Sequence, residues 1–288
     1  MQTAIIDEPM APEVCPAPAR RLATTFKSLL VHVEPTEASD DRLRFVVGLA
    51  AGLGAEVIGI GGCAPFIVDD VVALDLEMIR EQESADLKDA EARFRRIASS
   101  LGDAADWRAD AADPGEVMAR SAAGADLIVA SARRGPHAST VDAGLLALSA
   151  GGPVLVLPPR VRPPQRERIV VGWKNTREAR RAVTDALPLL LDAEAVTVVA
   201  VSANGDQPVE GLDGVVDRLK RHGVNAGAHI LRSRSDDYAG DLLTFAETNR
   251  ADMIVSGAYG HPRLLEWCWG GVSAGLLERS TLPVLFSH

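Results

Sequence analysis

The sequence predicts an α/β protein made of two tandem, doubly wound, five-stranded parallel sheets, and three observations carry that prediction. First, segments repeat: Ala125-Asp-Leu-Ile-Val-Ala-Ser131 is echoed by Ala251-Asp-Met-Ile-Val-Ser-Gly257, and Pro153-Val-Leu-Val by Pro283-Val-Leu-Phe. Second, short β-rich runs alternate with helical patterns through both halves. Third, Pro158-Pro-Arg-Val-Arg-Pro-Pro164 divides them. Prolines lack donors and fix φ, so this stretch reads as a stiff spacer.

The strands are expected near 27–33, 55–61, 106–111, 125–131 and 153–157, then near 168–173, 195–201, 226–231, 252–257 and 283–287. Between them, Leu87, Ala90, Phe94, Ile97 and Leu101 recur at helical spacing, and Asn175 or Thr176 can cap a helix beginning at Arg177. Alternating βα units with right-handed crossovers place ligands beyond the carboxyl ends of the strands, where the winding reverses. The expected organisation is a loose tail over 1–20, a first domain over 21–158, a linker over 159–165 and a second domain over 166–288.

Composition limits the function. The 288 residues are 47% apolar and 24% charged, enough for an aliphatic core and incompatible with global disorder. Thirty Lys and Arg against forty Asp and Glu leave a net charge of −10, which opposes nucleic acid and anionic lipid. Nucleic acid and membrane are therefore not expected partners. Asp7 and Glu8, with Pro9, Pro12, Pro16 and Pro18, do not read as a secretory leader. Cys15, Cys63 and Cys268 form no CxxC pair, which suits a reducing cytoplasm.

The second half carries the chemistry. Gly257-Ala-Tyr-Gly260 follows its fourth strand, then nine residues, then Gly270-Gly271-Val272-Ser273 opens the last helix. Glycines let backbone N–H groups approach an anion, and a helix start supplies unpaired donors with a favourable dipole. The combination suits phosphate; the competing reading is that these glycines only make turns.

With that spacing the chain resembles a tandem universal stress protein. Nucleotide-binding members of that family carry G-x2-G-x9-G-[ST] after the fourth strand, which Gly257, Gly260 and Gly270 match. The resemblance implies the adenine-nucleotide alpha-hydrolase-like fold, strand order 3-2-1-4-5, and a cleft between strands one and four that sets Trp173, Lys174 and Asn175 opposite the glycines. It implies ATP as ligand; Mg2+, which keeps waters and phosphate oxygens as ligands, would be carried by the nucleotide. It also implies a dimer, formed between chains or as an intramolecular pseudo-dimer, and a protein client.

Two residues depart from the family pattern. Gly271 stands where a hydroxyl follows the third glycine, and Lys174 stands where ATP-binding relatives place an aspartate. In one reading Lys174 neutralises phosphate and Trp173 stacks on a purine; in the other Lys174 is a solvated turn residue and Trp173 packs under the next helix. The first half lacks the motif, and its interval from Ser131 to Pro153 is five residues shorter than that from Ser256 to Pro283. Its Arg133, Arg134 and Glu34 read as a solvated loop or a residual phosphate grip, with this half structural.

Other chemistries fit less well. Gly271-Val-Ser-Ala-Gly275 matches a nucleophile elbow, but only Glu278 and His288 follow Ser273 as partners. Gly59-Ile-Gly61 is an incomplete dinucleotide fingerprint. His32, His137, His222, His229, His261 and His288 show no metal spacing and read as surface or turn residues. Leu264-Leu-Glu-Trp-Cys-Trp269 is apolar enough to be a partner-facing patch or a lid. The expected function is a cytoplasmic stress-response binding protein that holds ATP in its second half and is at most a slow ATPase. The alternative is a non-nucleotide adaptor with both clefts closed.

Overall fold

A computed structural model describes residues 25–63, 73–132, 140–163, 165, 167–202, 207–233, 237–258 and 271–288. Each β-rich run becomes a strand. The first half holds β1 (Ser28–His32), β2 (Glu56–Gly62), β3 (Ala105–Asp110), β4 (Leu127–Ser131) and β5 (Val154–Leu157). The second holds β6 (Arg168–Gly172), β7 (Ala195–Ser202), β8 (Ala226–Arg232), β9 (Met253–Gly257) and β10 (Val284–Ser287). β1, β4 and β5 are buried along their whole length, as near-continuous apolar runs in a parallel sheet require.

The ten strands form one sheet in the order β3-β2-β1-β4-β5-β10-β9-β6-β7-β8, so each half reads 3-2-1-4-5 from its outer edge inward. Pairing within each half is parallel. The halves join antiparallel, with Leu285 opposite Leu155 and Val284 and Phe286 opposite Val156 and Val154. That reversal at a single seam relates the halves by an approximate two-fold.

Helices cover both faces. Side chains alternate along a strand, so Leu29 and Val31 face one layer and Leu30 the other. One layer packs α1 (Ala38–Leu53), α2 (Ala73–Ile97), α5 (Arg177–Asp185), α6 (Leu187–Asp192) and α7 (Leu212–Arg221). The other packs α3 (Pro114–Ser121), α4 (Ala143–Ser149), α8 (Tyr238–Thr248) and α9 (Val272–Arg279). Both apolar layers run through the two halves without a break. Phe94 of α2 is buried against Trp107, ring centroids 5.5 Å apart, where the helical spacing placed it.

The duplication extends to single atoms. Asp126 Oδ2 accepts from the N–H groups of Lys27 and Ser28 at 2.7 and 3.1 Å. Asp252 Oδ2 accepts from those of Glu167 and Arg168 at 3.1 and 2.9 Å. Each aspartate thus closes the otherwise open start of the central strand beside it. Between β5 and β6 the proline-rich stretch has no helix or strand among its described residues, and Val161 packs on the core.

Candidate functional site

In a doubly wound sheet the ligand crevice lies at the carboxyl ends of the two strands where winding reverses, here β6 with β9 and, in the first half, β1 with β4.

At the second crevice, β6 runs into Trp173, Lys174 and Asn175, and Thr176 caps α5 by accepting from Ala179 N at 3.3 Å. Trp173 is 7% exposed; its main-chain N–H bonds Val199 O at 2.8 Å and its indole N–H donates to Glu210 O at 3.3 Å. Glu210 thus holds the indole at the wall of the crevice. Lys174, next along the chain, is exposed. Asn175 is half-buried, and its Oδ1 accepts from Arg180 at 3.0 Å.

Gly257 has a packing reason for lacking a side chain. A Cβ there would lie 2.6 Å from Ala179 N and 2.7 Å from the Glu178 carbonyl carbon, so the first turn of α5 rests directly on the end of β9. Glu178 is buried at this contact. Burial alone would push its carboxyl up, but its own N–H, the Thr176 hydroxyl and the Arg177 guanidinium outweigh that and hold it below the usual carboxylate range. The start of α5 is therefore already supplied with an anion by the chain.

The start of α9 is not. Its N-cap is Gly271, at φ 152°, and no side chain caps it among the described residues. Four N–H groups at a helix start have no intrahelical partner, and the dipole there favours negative charge. Ser273 Oγ donates to Gly257 O at 3.1 Å, pinning the start of α9 to the end of β9. The Val272 and Ser273 main chain thus lies beside Gly257 at the mouth of the crevice. Gly260 and Gly270, the other two glycines of the spacing, lie outside the described residues, as do the Leu264–Trp269 segment, Arg133 and Arg134.

The first crevice is built differently. Asp142 caps α4, its Oδ1 accepting from Gly144 N at 2.8 Å and Leu145 N at 3.0 Å. At the end of β1, Glu34 is 3% exposed and not part of a solvated loop, which corrects that reading. Arg42 donates to His32 O and Ser39 Oγ, both at 3.0 Å, and lies 3.7 Å from Glu34 Oε1; Ser39 Oγ accepts Glu34 N–H at 2.8 Å. His32 is buried in the same network, 3.9 Å from Glu34, and not at the surface or in a turn. Sequence reasoning missed this cluster because a histidine inside Leu-Leu-Val-His-Val gives no local sign of burial. The Asp142 cap was legible: an aspartate directly before Ala-Gly-Leu-Leu-Ala-Leu is an N-cap signal.

The elbow-like Gly271–Gly275 segment has structural duties. Ser273 bonds Gly257 O, and a Cβ on Gly275 would lie 2.5 Å from Ala239 Cβ, so this glycine lets α9 close on α8. His288 Nδ1 sits 3.1 Å from Ala258 O. Among the described residues no three His, Cys, Asp or Glu side chains gather as a metal site, and no helix is long and apolar enough to cross a membrane.

Residues 165–288 match the model of the Universal stress protein family. Solved structures share the fold over nearly the whole chain. A universal stress protein from Archaeoglobus fulgidus DSM 4304 is 15% identical with a TM-score of 0.65, covering 90% of this chain and 95% of its own. A functionally unknown protein from Pseudomonas aeruginosa PAO1 is 15% identical with a TM-score of 0.54, covering 92% and 93%. No curated protein matches the chain in sequence.

Proposed function

We propose that the second half binds a nucleotide through its phosphates at the start of α9, and that the bound nucleotide sets the state of a stress-response binding protein. The observation that carries this reading is the contrast between the two helix starts. Asp142 supplies α4 with a carboxylate, whereas Gly271 brings none to α9 and no other described residue caps that helix beside the glycine end of β9. Phosphate oxygens are acceptors of the right charge for such a start. The main chain of Gly271, Val272 and Ser273 would hold them, with Lys174 and Asn175 at the rim; ATP with nucleotide-borne Mg2+ is the ligand we propose. The intrachain pairing of β5 with β10 fills the edge strand of each half, so a second copy is not needed there.

The test is native mass spectrometry of the whole chain purified without added nucleotide, followed by calorimetric titration with ATP and Mg2+. Wild type is expected to carry or take up one nucleotide per chain. Ser273→Asp places a carboxylate at the same helix start and should abolish uptake, while Ser273→Ala, which loses only the bond to Gly257 O, is the control that should keep it. Equal uptake by wild type and Ser273→Asp would show the site to be elsewhere.

A second reading has its own observation. Trp173 and Glu178 both pack into the second crevice wall, and in an adaptor with closed clefts that packing would be complete as it stands. Such a protein would show no nucleotide mass and a flat titration.

A further inference from the structure

We infer that the chain forms a symmetric dimer by pairing β8 antiparallel with β8 of a second copy, about a two-fold axis at His229. With β5 and β10 joined inside the chain, the ten-stranded sheet keeps two outer edges, β3 and β8. An edge strand turns N–H and C=O groups outward as a template for another chain, and charge is one of the devices that blunt it. The two edges differ in that respect.

β3 is blunted. Arg108 pairs with Asp106 at 3.0 Å and Arg120 with Asp110 at 2.7 Å, and Asp106 Oδ1 takes the Trp107 N–H at 2.9 Å. β8, Ala226-Gly-Ala-His-Ile-Leu-Arg232, has no Asp, Glu or Lys and carries its Arg at the last position. Gly227, Ala228 and His229 are exposed, and a Cβ on Gly227 would meet nothing within 4 Å. Asn225 O takes Val196 N–H at 2.9 Å and Ser233 N–H donates to Ser202 O at 3.0 Å, so the odd-numbered residues face β7. A parallel ladder engages alternate residues, and the main-chain groups of Ala226, Ala228, Ile230 and Arg232 therefore point away from the sheet. An antiparallel copy centred on His229 sets Ala226 opposite Arg232 and Ala228 opposite Ile230, which engages all four. Any shift of register leaves one of them out.

The helix above this edge identifies the occupant as a second copy. α7 packs over β8 through Leu212, Val215, Val216 and Leu219, and Arg218 reaches sideways to Thr184 of α5 at 2.9 Å. Helical geometry then puts Asp213, Asp217 and Lys220, all exposed, on the side turned from α5 and toward the open edge. A two-fold runs the second α7 the other way, so Asp213 of each copy comes opposite Lys220 of the other. With paired strands about 4.8 Å apart, the two α7 helices lie about 10 Å apart, an ordinary helix-packing distance. The charge pattern complements itself, and the closed two-fold stops at two copies.

The experiment is sedimentation equilibrium of the whole chain through the micromolar range, without nucleotide. Wild type is expected to reach a two-copy mass. Ala228→Pro removes an outward N–H that β7 does not use, and should give a single copy with an unchanged circular dichroism spectrum. Asp213→Lys and Lys220→Asp each set like charges opposite one another and should weaken association about ten-fold, and the double variant, with the signs exchanged, should restore it. Arg108→Glu, on the other edge, should associate as wild type does. A wild type that stays single, growth beyond two copies, a dimer that Ala228→Pro leaves intact, a double variant no better than the single ones, or a loss caused by Arg108→Glu overturns the inference.

Discussion

Gly271 holds in the second half the place that Asp142 holds in the first: each is the N-cap of the helix leading into its half's last strand, and only Asp142 brings a carboxylate to the N–H groups behind it. Two halves that agree in strand order thus differ at the cap of their last helix.

Removing that carboxylate should cost the stability of one cap. Asp142→Ala is expected to lower the unfolding free energy by about 1 kcal/mol, measured by urea denaturation. Nucleotide uptake should not change, because the affected helix belongs to the other half. Altered uptake would mean that the two crevices are coupled.

Gly257→Ala separates packing from ligand contact. Its Cβ would meet the backbone of Ala179 and Glu178, which cannot yield without moving α5. A loss of about 1–3 kcal/mol is expected in the absence of any nucleotide. A melting temperature equal to wild type would show that α5 does not bear on β9.

Asp126→Ala and Asp252→Ala should behave alike. Each leaves two strand-start N–H groups without their acceptor. About 0.5–1.5 kcal/mol is expected for each, since water reaches most of these N–H groups. Because the sites lie in different halves, the double variant should show the sum within about 0.5 kcal/mol.

Arg42→Ala tests the buried network of the first half. It strips Glu34 of the guanidinium beside it and removes the donor to His32 O and Ser39 Oγ. Breaking a buried pair from one side typically costs about 3–5 kcal/mol. A change below about 1 kcal/mol would show the cluster to be open to water.

Stability should also carry an acid-side signature. The bidentate Arg279 guanidinium, then Gly240 N–H, hold Asp237 down from 3.8 to about 2. A carboxyl with a lowered folded-state value contributes stability that is whole above the unfolded value and is lost as pH falls through the folded one. Wild type should therefore melt above Asp237→Asn at pH 5. That gap should shrink between pH 3.8 and about 2. A gap independent of pH would assign the effect to packing.

Much of the fold was legible because its signals are local. The runs around Leu29, Ile169 and Met253 became strands near their expected bounds, and Thr176 capped α5 as its place before Arg177 indicated. The site was less legible. Gly257 looked like a phosphate glycine, and its contact with α5 depends on two segments nearly eighty residues apart, as the numbers of Ala179 and Gly257 show. Trp173 could have stacked or packed on the sequence alone; only the approach of Glu210 fixed its indole.

The sequence by itself determined a duplicated βα chain with a glycine-rich second half, since alternation, turn residues and repeats are properties of neighbouring positions. Only the tertiary structure decided that the halves join antiparallel through Leu155 and Leu285 into one sheet, that Glu34 and Arg42 are buried together, and that Gly257 rests on the first turn of α5. Those outcomes depend on which surfaces meet across long stretches of chain. Buried charge and strand edges are satisfied by whatever partner the fold brings to them.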